Sequence, residues 1–348
     1  MKVLLVKMSS MGDVVHTAPA ISEAALARPE ITVDWVVEEA FASIARLHPR
    51  VRTVHMAATR RWRRSPLAPG TWSEVTGLRR ALRGERYDLV LDAQGLLKSL
   101  FVARLAGAPI HGFDRAGARE PAATLGYRKC HHVSRAMHAI DRTRLLFAAA
   151  LGYTAAAEHS GYGLTPPPRP DFLRDHDNLA VLLHGTTWPS KRWPARYWAE
   201  LARNLVGLGY QPALPWSDEH ERAAAESIAA AAPPSVVLPR STLPELAGLL
   251  AASRLVVGVD TGLMHLAAAF GVPTISIFTS TSPDLTGPVG SAASVLQATI
   301  ECAPCRQRVC PRVPVGVEPP CQATVGPYRV LAELAGGDTA RLRRGLAG

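Results

Sequence analysis

The sequence predicts an α/β fold with two Rossmann-like domains, whose parallel sheets face each other across a cleft. Two observations support this prediction. First, short apolar runs rich in Val, Ile and Leu alternate with helical patterns, which is typical of parallel sheets. Second, the alternation occurs in two series of similar length, and residues 164–170, with four prolines, form a stiff connector between them. The domain boundary is therefore expected between residues 165 and 166.

The period of the apolar residues predicts the individual elements. In the first series it predicts strands at residues 3–6, 32–37 and 89–92 and helices at 18–27, 72–83, 97–105 and 139–151. Gly152 follows the last helix as the expected C′ residue. In the second series it predicts strands at 179–183, 212–214, 236–238, 255–259 and 274–278, with helices at 197–208, 219–231 and 243–252 and an Ala-rich helix from about Gly262. Residues 328–346 are predicted to form a last helix.

The composition limits the class of protein. With 348 residues, 47% of them hydrophobic, the chain is long enough for two globular domains. No apolar run approaches the length of a membrane span, and residues 1–7 suit a first strand better than a signal peptide. The net charge of +10 indicates a polyanionic partner, such as nucleic acid, an anionic membrane surface or a phosphorylated substrate, unless it reflects a GC-rich genome.

Sequence motifs narrow these possibilities. Neither half contains G-x-G-x-x-G, so a dinucleotide cofactor is not supported. The sequence also lacks helix-turn-helix, zinc-finger and RNP signatures, which argues against nucleic acid as a partner. Four of the five cysteines are clustered at Cys302, Cys305, Cys310 and Cys321. The first pair has the spacing of half a zinc site but the others do not repeat it, so metal binding, pairing and free thiols all remain open.

In the first half, the first strand leads into a small polar loop that contains Ser9, Ser10, Gly12 and Asp13. Asp13 is either a helix N-cap or a carboxylate at the end of a strand that takes a proton from a hydroxyl group. A dense cationic run follows in a predicted loop, at Arg60, Arg61, Arg63 and Arg64. Repulsion between these arginines favours an anionic ligand, and a solvated surface is the alternative.

In the second half, two strand-to-helix loops have the composition of phosphate sites. Asp260-Thr261-Gly262 stands at a predicted helix N-terminus, where free amides and the helix dipole attract anions, with His265 one turn further on. The loop after residue 183 carries Thr186, Thr187 and the cation Lys191. Each loop alone is also compatible with an ordinary polar turn, but two such loops in one domain predict a binding site for a nucleotide diphosphate.

Several separate motifs resemble the lipopolysaccharide heptosyltransferases, and in particular heptosyltransferase I. They occur as SSMGD at 9–13, DWVVEE at 34–39, RRWR at 60–63, DAQGLLKS at 92–99, AREP at 118–121 and VDTG at 259–262. The resemblance implies a GT-B glycosyltransferase that requires no metal or other cofactor. It further implies transfer of L-glycero-D-manno-heptose from ADP-heptose to the Kdo sugar of Kdo-lipid A, with inversion at the anomeric carbon.

The resemblance also implies a role for each candidate residue. Asp13 is the general base, and Lys191 stabilises the departing ADP together with the amides near Thr261 and Gly262. The other donor-binding residues implied are Thr186 and Thr187 for phosphates, Glu221 for the ribose, and Asp260 and His265 for the heptose. The acceptor-binding residues implied are Ser10, Gly12, Arg60, Arg61, Arg63, Arg64, Lys98 and Arg119.

The resemblance weakens after about residue 280, where the clustered cysteines are more similar to the end of heptosyltransferase II. Heptosyltransferase II, another nucleotide-sugar glycosyltransferase and a GT-B-type nucleotide-sugar epimerase are therefore alternatives. By analogy with GT-B relatives, the second domain is expected to end near residue 325, and residues 326–348 to pack back on the first domain. Because the acceptor is a lipid, we expect peripheral docking on the anionic cytoplasmic face of the inner membrane through basic loops.

Overall fold

The computed structural model describes residues 1–159, 161–314 and 316–337 and divides into two compact units. The first unit spans Met1–Thr165 and the second begins at Pro166. Each unit is built around a six-stranded sheet in which every neighbouring pair of strands is parallel. The α/β class expected from the alternating pattern is therefore confirmed.

In the first unit, the strands are β1 (Lys2–Val6), β2 (Thr32–Glu38), β3 (Val51–Ala57), β4 (Leu89–Asp92), β5 (Ile110–Phe113) and β6 (Lys129–His131). The helices are α1 (Met11–Val15), α2 (Ala18–Ala27), α3 (Ala42–Ala45), α4 (Thr59–Arg64), α5 (Pro69–Glu85), α6 (Leu97–Leu105) and α7 (Ala139–Leu151). Short 3₁₀ turns cover Glu39–Phe41 and Pro121–Gly126. Gly152 ends α7 with φ +73°, as the predicted C′ residue should.

In the second unit, the strands are β7 (Leu179–Leu183), β8 (Gln211–Leu214), β9 (Val236–Val237), β10 (Leu255–Val259), β11 (Thr274–Phe278) and β12 (Ala293–Gln297). The helices are α8 (Ala195–Gly207), α9 (Glu219–Ala230), α10 (Leu243–Ala252), α11 (Gly262–Ala269), α12 (Pro283–Thr286), α13 (Pro320–Ala323) and α14 (Pro327–Gly337). Two 3₁₀ turns cover Asp171–Leu173 and Pro189–Lys191.

The two sheets have the same topology. Their strand orders are β3-β2-β1-β4-β5-β6 and β9-β8-β7-β10-β11-β12, so each follows the 3-2-1-4-5-6 order of a Rossmann sheet. In such a sheet the order in which successive strands are added reverses between the first and fourth strands, and ligands bind beyond the carboxyl ends of the strands at that point. We therefore expect ligands to bind at the loops after β1 and β4 in the first unit and after β7 and β10 in the second.

Apolar packing explains why these strands form the centres of their units. Val3, Leu4, Leu5 and Val6 in β1 have no exposed surface, and β7 and β10 are likewise buried along their full lengths. A strand that is covered by helices on both faces consists of a continuous apolar run, and such runs made these three strands predictable from the sequence. None of the helices in the described part of the chain is long and apolar enough to cross a membrane.

The expectation for the C-terminal helix needs correction. Helix α14 packs against α8 and β12, and Val330 is fully buried in the core of the second unit. The second unit therefore continues past residue 325 rather than ending there. The amphipathic pattern predicts the helix correctly, but it does not identify the surface that covers its apolar side. The remainder of the predicted helix, from residue 338 onward, lies outside the described residues.

Candidate functional site

In the first unit, two loops come together beyond β1 and β4. The side-chain oxygen of Gln94, which follows β4, accepts hydrogen bonds from the backbone amides of Met8 (2.8 Å) and Ser9 (3.1 Å). Its amide nitrogen donates to the Ser9 carbonyl at 2.6 Å. Lys98 Nζ donates to Ser9 Oγ at 3.1 Å. The predicted residues of the polar loop and Lys98 are therefore held in one site.

Asp13 occupies the first turn of α1, while Ser10 is the N-cap residue. The Asp13 Oδ2 atom accepts hydrogen bonds from the Ser10 amide (2.8 Å) and the Ser10 hydroxyl (2.9 Å). Its other oxygen lies 3.4 Å from Lys7 Nζ. Asp13 therefore orients the start of the helix without being its N-cap, and one carboxylate oxygen remains next to a lysine.

The charges around Asp13 keep it ionised. Burial raises the pKa of its carboxyl group, but Lys7, the Ser10 amide and Arg119 together outweigh burial and leave the pKa below its usual value. At neutral pH the group is a carboxylate with a fixed orientation. That is the state from which an aspartate accepts a proton.

Cations surround this carboxylate. The first unit contains 23 Lys and Arg against 14 Asp and Glu, whereas the remainder of the chain contains 16 against 15, so nearly all of the net charge lies in the first unit. Burial lowers the pKa of Lys98, and the positive charges of Arg60, Arg63 and Arg119 lower it further against the opposing effect of Glu38. These predicted acceptor residues therefore lie close enough to repel one another.

The arginine run lies in a helix, not in the predicted loop. Helix α4 directs Trp62 into the core, where its indole donates to Glu74 at 2.7 Å, and places Arg60, Arg63 and Arg64 on the other side. Arg61 differs from them because its guanidinium already pairs with Glu39 (2.9 Å) and Glu74 (2.7 Å). Mutual repulsion is therefore no reason to assign Arg61 to an anionic ligand.

Two further cations of this site, Lys7 and Arg142, were not among the predicted binding residues. Arg142 packs its guanidinium 4.8 Å from the centre of the Phe113 ring and donates to the Gly117 carbonyl at 2.7 Å. Its Nε atom is buried and has no hydrogen-bond partner among the described residues. Burial lowers the pKa of Arg142, Arg119 lowers it further, and Asp13 opposes them, so this arginine lies in the same charged cluster.

In the second unit, Lys191 and Asp260 form a buried ion pair beyond the adjacent strands β7 and β10. Lys191 Nζ lies 2.6 Å from Asp260 Oδ2, which also accepts a hydrogen bond from Thr281 at 2.7 Å. His265 Nε2 lies 3.5 Å from the other oxygen, Oδ1. Burial raises the pKa of Asp260, but His265 and Lys191 outweigh it and hold the pKa far below its usual value. The predicted Lys191, Asp260 and His265 are therefore one cluster.

The N-terminus of α11 supplies hydrogen-bond donors beside this cluster. Thr261 is the N-cap residue, but its side chain makes no capping bond, and its hydroxyl oxygen is buried without a partner among the described residues. The first amides of a helix also lack intrahelical acceptors. Thr186 and Thr187 stand in the loop after β7, where Thr187 is exposed. Unsatisfied donors and a lysine at one helix N-terminus are suited to an anionic ligand.

Glu221 lies against the same loop. Its carboxylate accepts hydrogen bonds from the Ser217 amide (2.9 Å) and hydroxyl (2.6 Å). A Cβ atom at Gly185 would overlap Glu221 Oε1 and lie 2.5 Å from its Cδ, so any side chain at this position requires the Glu221 carboxylate to move. In Rossmann sheets a carboxylate after the second strand binds a ribose, and Glu221 follows β8, the corresponding strand.

The clustered cysteines of the second unit lie beside Ser190 and Ser280, the residues that precede Lys191 and Thr281. All four are free thiols, and they line one cavity together with Ser190 and Ser280. Burial and the neighbouring thiols raise the pKa of Cys321 to about 11. Among residues 1–159, 161–314 and 316–337, no group of three or more His, Cys, Asp or Glu is arranged to hold a metal ion.

Comparisons with known proteins show which family this chain is similar to. Residues 75–315 match the family model described as glycosyltransferase family 9 (heptosyltransferase). Lipopolysaccharide heptosyltransferase 1 of Pseudomonas aeruginosa is 44% identical over 351 residues, covering 96% of this chain and 97% of that protein. The solved structure of Escherichia coli heptosyltransferase WaaC with ADP gives a TM-score of 0.84 at 38% identity, covering 97% of this chain and 99% of the other. The same enzyme with ADP-2-deoxy-2-fluoro heptose gives 0.78 at 42%, covering 86% and 94%.

Proposed function

The chain belongs to glycosyltransferase family 9, the heptosyltransferases, and on that premise we propose that it moves L-glycero-D-manno-heptose from ADP-heptose to the Kdo sugar of Kdo-lipid A. The observation that carries the donor side is the buried, unpartnered Thr261 hydroxyl at the N-terminus of α11, beside the Lys191–Asp260 pair. The solved relative WaaC holds ADP and an ADP-heptose analogue, which supports a nucleotide sugar at this kind of site.

The proposed reaction is a direct displacement with inversion. The acceptor hydroxyl attacks the anomeric carbon, its proton passes to the Asp13 carboxylate, and the bond from that carbon to the ADP oxygen breaks. Negative charge then grows on the departing diphosphate. We assign the stabilisation of that charge to Lys191 and to the first amides of α11, near Thr261 and Gly262.

The remaining donor residues are assigned by chemistry. Thr186 and Thr187 hydroxyls donate to phosphate oxygens, and the Glu221 carboxylate accepts from the ribose hydroxyls. Asp260 Oδ2 is occupied by Lys191 and Thr281, so we assign Oδ1, beside His265, to a heptose hydroxyl.

On the acceptor side, we assign Ser10, Gly12, Lys98, Arg119, Arg60, Arg63 and Arg64 to the phosphates and carboxylates of the lipid. Arg61 is excluded from this set because two carboxylates already hold it. The excess of cations in the first unit supports an anionic acceptor, and it supports peripheral binding at the cytoplasmic face of the inner membrane.

One assay tests the proposed function. Purified protein is incubated with ADP-heptose and heptose-free lipopolysaccharide, and released ADP is measured together with the mass of the product. We expect stoichiometric ADP release and addition of one heptose. Consumption of ADP-heptose without acceptor would identify an epimerase instead. Transfer only to an acceptor that already carries one heptose would identify heptosyltransferase II activity.

Neutralising the outward-facing arginines of α4 should impair acceptor binding. We expect the triple variant Arg60→Gln/Arg63→Gln/Arg64→Gln to raise the acceptor KM at least about tenfold, because it removes several charge-assisted contacts to anionic groups. The Kd of ADP-heptose should not change. Steady-state kinetics with varied acceptor and titration of the donor measure the two effects.

Arg61→Gln on the same helix is the matched control and should alter the acceptor KM much less, since Glu39 and Glu74 already engage this guanidinium. A loss of donor affinity in the triple variant would mean that the acceptor and donor domains are assigned in the wrong order.

A methyl group at Gly185 should weaken donor binding. In Gly185→Ala the new Cβ displaces the Glu221 carboxylate from its position beside the loop, so its hydrogen bonds to a ribose would be lost. We expect the Kd of ADP to rise roughly tenfold, the effect of one hydrogen bond to a charged group. Calorimetric titration with ADP measures it.

Gly207→Ala, in helix α8 of the same unit, provides the control because nothing lies within 4 Å of its added Cβ. Equal ADP affinities for Gly185→Ala and the unaltered chain would remove Glu221 from the donor site.

A further inference from the structure

The outer side of α6 and the neighbouring turn carry exposed apolar side chains. Leu97 and Phe101 are 51% and 48% exposed, and Leu125 in the turn Pro121–Gly126 is 79% exposed. Leu97 and Phe101 are four residues apart on one helix, so they share a side. We refer to Leu97, Phe101 and Leu125 as the α6 surface.

Contacts at both ends of the turn make this surface continuous. At one end, the Glu120 carboxylate accepts a hydrogen bond from the Leu97 amide at 2.7 Å. At the other end, a Cβ atom on Gly126 would overlap the Leu100 side chain and lie 3.0 Å from Arg104 Nη2. The segment 120–126 therefore runs alongside α6 for most of its length, and Leu125 joins the helical residues in one patch.

Cations border the α6 surface. Arg104 follows Phe101 on the exposed side of α6, and Arg119, Arg128 and Lys129 are exposed in the segments before and after the turn. They belong to the unit that holds nearly all of the net charge. An apolar centre with a cationic border is the arrangement by which a protein binds an anionic bilayer, since apolar groups enter the headgroup boundary while cations meet lipid phosphates.

The α6 surface is also continuous with the acceptor site. Lys98, the residue after Leu97, donates to Ser9 Oγ at 3.1 Å. Ser10, which follows Ser9, donates to the Asp13 carboxylate. One helix therefore turns a polar group toward the proposed base and apolar groups outward. A glycolipid has the same polarity, with a sugar head on an apolar anchor.

We propose that the α6 surface docks on an anionic phospholipid bilayer, which brings the sugar of a lipid-anchored acceptor to Asp13. This inference deepens the proposed function and rests on it for the lipid nature of the acceptor. It assigns bilayer contact to apolar side chains of α6 and the turn in addition to basic loops.

Vesicle binding tests the proposal directly. The full chain is sedimented with vesicles of phosphatidylglycerol and, separately, of phosphatidylcholine. We expect the chain to bind phosphatidylglycerol vesicles, and this binding to weaken as salt is added. The triple variant Leu97→Gln/Phe101→Gln/Leu125→Gln should have at least about a tenfold lower partition coefficient, because its apolar area no longer enters the lipid.

A pair of single variants provides the matched control. Leu125→Gln is compared with Leu26→Gln, which alters a 67% exposed leucine on α2, a helix that packs with α7. Only Leu125→Gln should reduce binding.

Activity separates this proposal from the proposed function. Transfer to an acyl-free acceptor in solution should be equal for the triple variant and the unaltered chain, whereas transfer to vesicle-embedded acceptor should decrease. Unchanged vesicle binding in the triple variant, or equal binding to both lipids, would overturn the α6 surface as a lipid contact. If the triple variant loses vesicle binding but the unaltered chain transfers heptose to no acceptor, the result would support the α6 surface and refute the transferase.

Discussion

Replacing Asp13 by Ala should reduce kcat by roughly 10²–10⁴-fold, the usual contribution of a general base, while ADP-heptose binds as before. The expectation follows from the position of this carboxylate. It is ionised, it is held by the Ser10 amide and hydroxyl, and one oxygen stays available beside Lys7. Because all of the proposed donor-binding residues lie in the second unit, removing Asp13 should not alter the Kd of the donor. Single-turnover kinetics and donor titration measure the two quantities.

The control variants separate chemistry from folding. Asp13→Asn keeps a hydrogen-bond acceptor for the Ser10 amide and should fold normally, yet it cannot take a proton and should be as inactive as Asp13→Ala. Asp88→Asn alters another carboxylate of the same unit, one that accepts from the Lys2 amide at the opposite end of β1, and should remain active. Normal turnover of Asp13→Asn would exclude Asp13 as the base.

The central strands and most helices of this fold could be predicted from sequence because their patterns have a local cause. β1, β7 and β10 are continuous apolar runs that are buried on both faces. β3, β5, β6 and β12 were not predicted. β5 is an interior strand of only four residues that include a histidine and a glycine. The other three lie at sheet edges and mix polar with apolar residues, as in the half-exposed run Val51–Ala57. Such edge strands are defined by pairing with a neighbour, which no local pattern encodes.

Tertiary contacts also explain the errors at the candidate site. A dense arginine run has the character of a solvated loop, but burial of Trp62 and its bond to Glu74, in α5, favour a helix instead. The same glutamate removes Arg61 from the set of available cations. Gln94 was part of a recognised motif, but its role in holding Met8 and Ser9 depends on β4 pairing with β1. The types of the site residues and their positions in loops were therefore predictable, whereas their hydrogen-bond and ion-pair partners were not.

Replacing Lys191 by Ala should raise the Kd of ADP-heptose about tenfold and lower kcat by about 10²-fold or more. The larger effect on kcat is expected because negative charge on the diphosphate increases as the bond to heptose breaks, and only interactions that strengthen in the transition state accelerate the reaction. Lys191→Arg keeps the charge and should recover part of the rate. Donor titration and single-turnover rates measure these effects, and an unchanged kcat would refute the role of Lys191 at the leaving group.

Lys191 also pairs with buried Asp260, so Lys191→Ala should lower stability as well as activity. Leaving one partner of a buried ion pair alone costs about 3–5 kcal/mol, and His265 remains to offset part of that cost. The double variant Lys191→Ala/Asp260→Asn removes the unpaired charge and should regain most of the free energy of unfolding in urea titrations. Its kcat should stay low, because the cation at the departing diphosphate is still missing. Recovery of stability and rate together would instead mean that Lys191 acts through the folding of this loop and not on ADP.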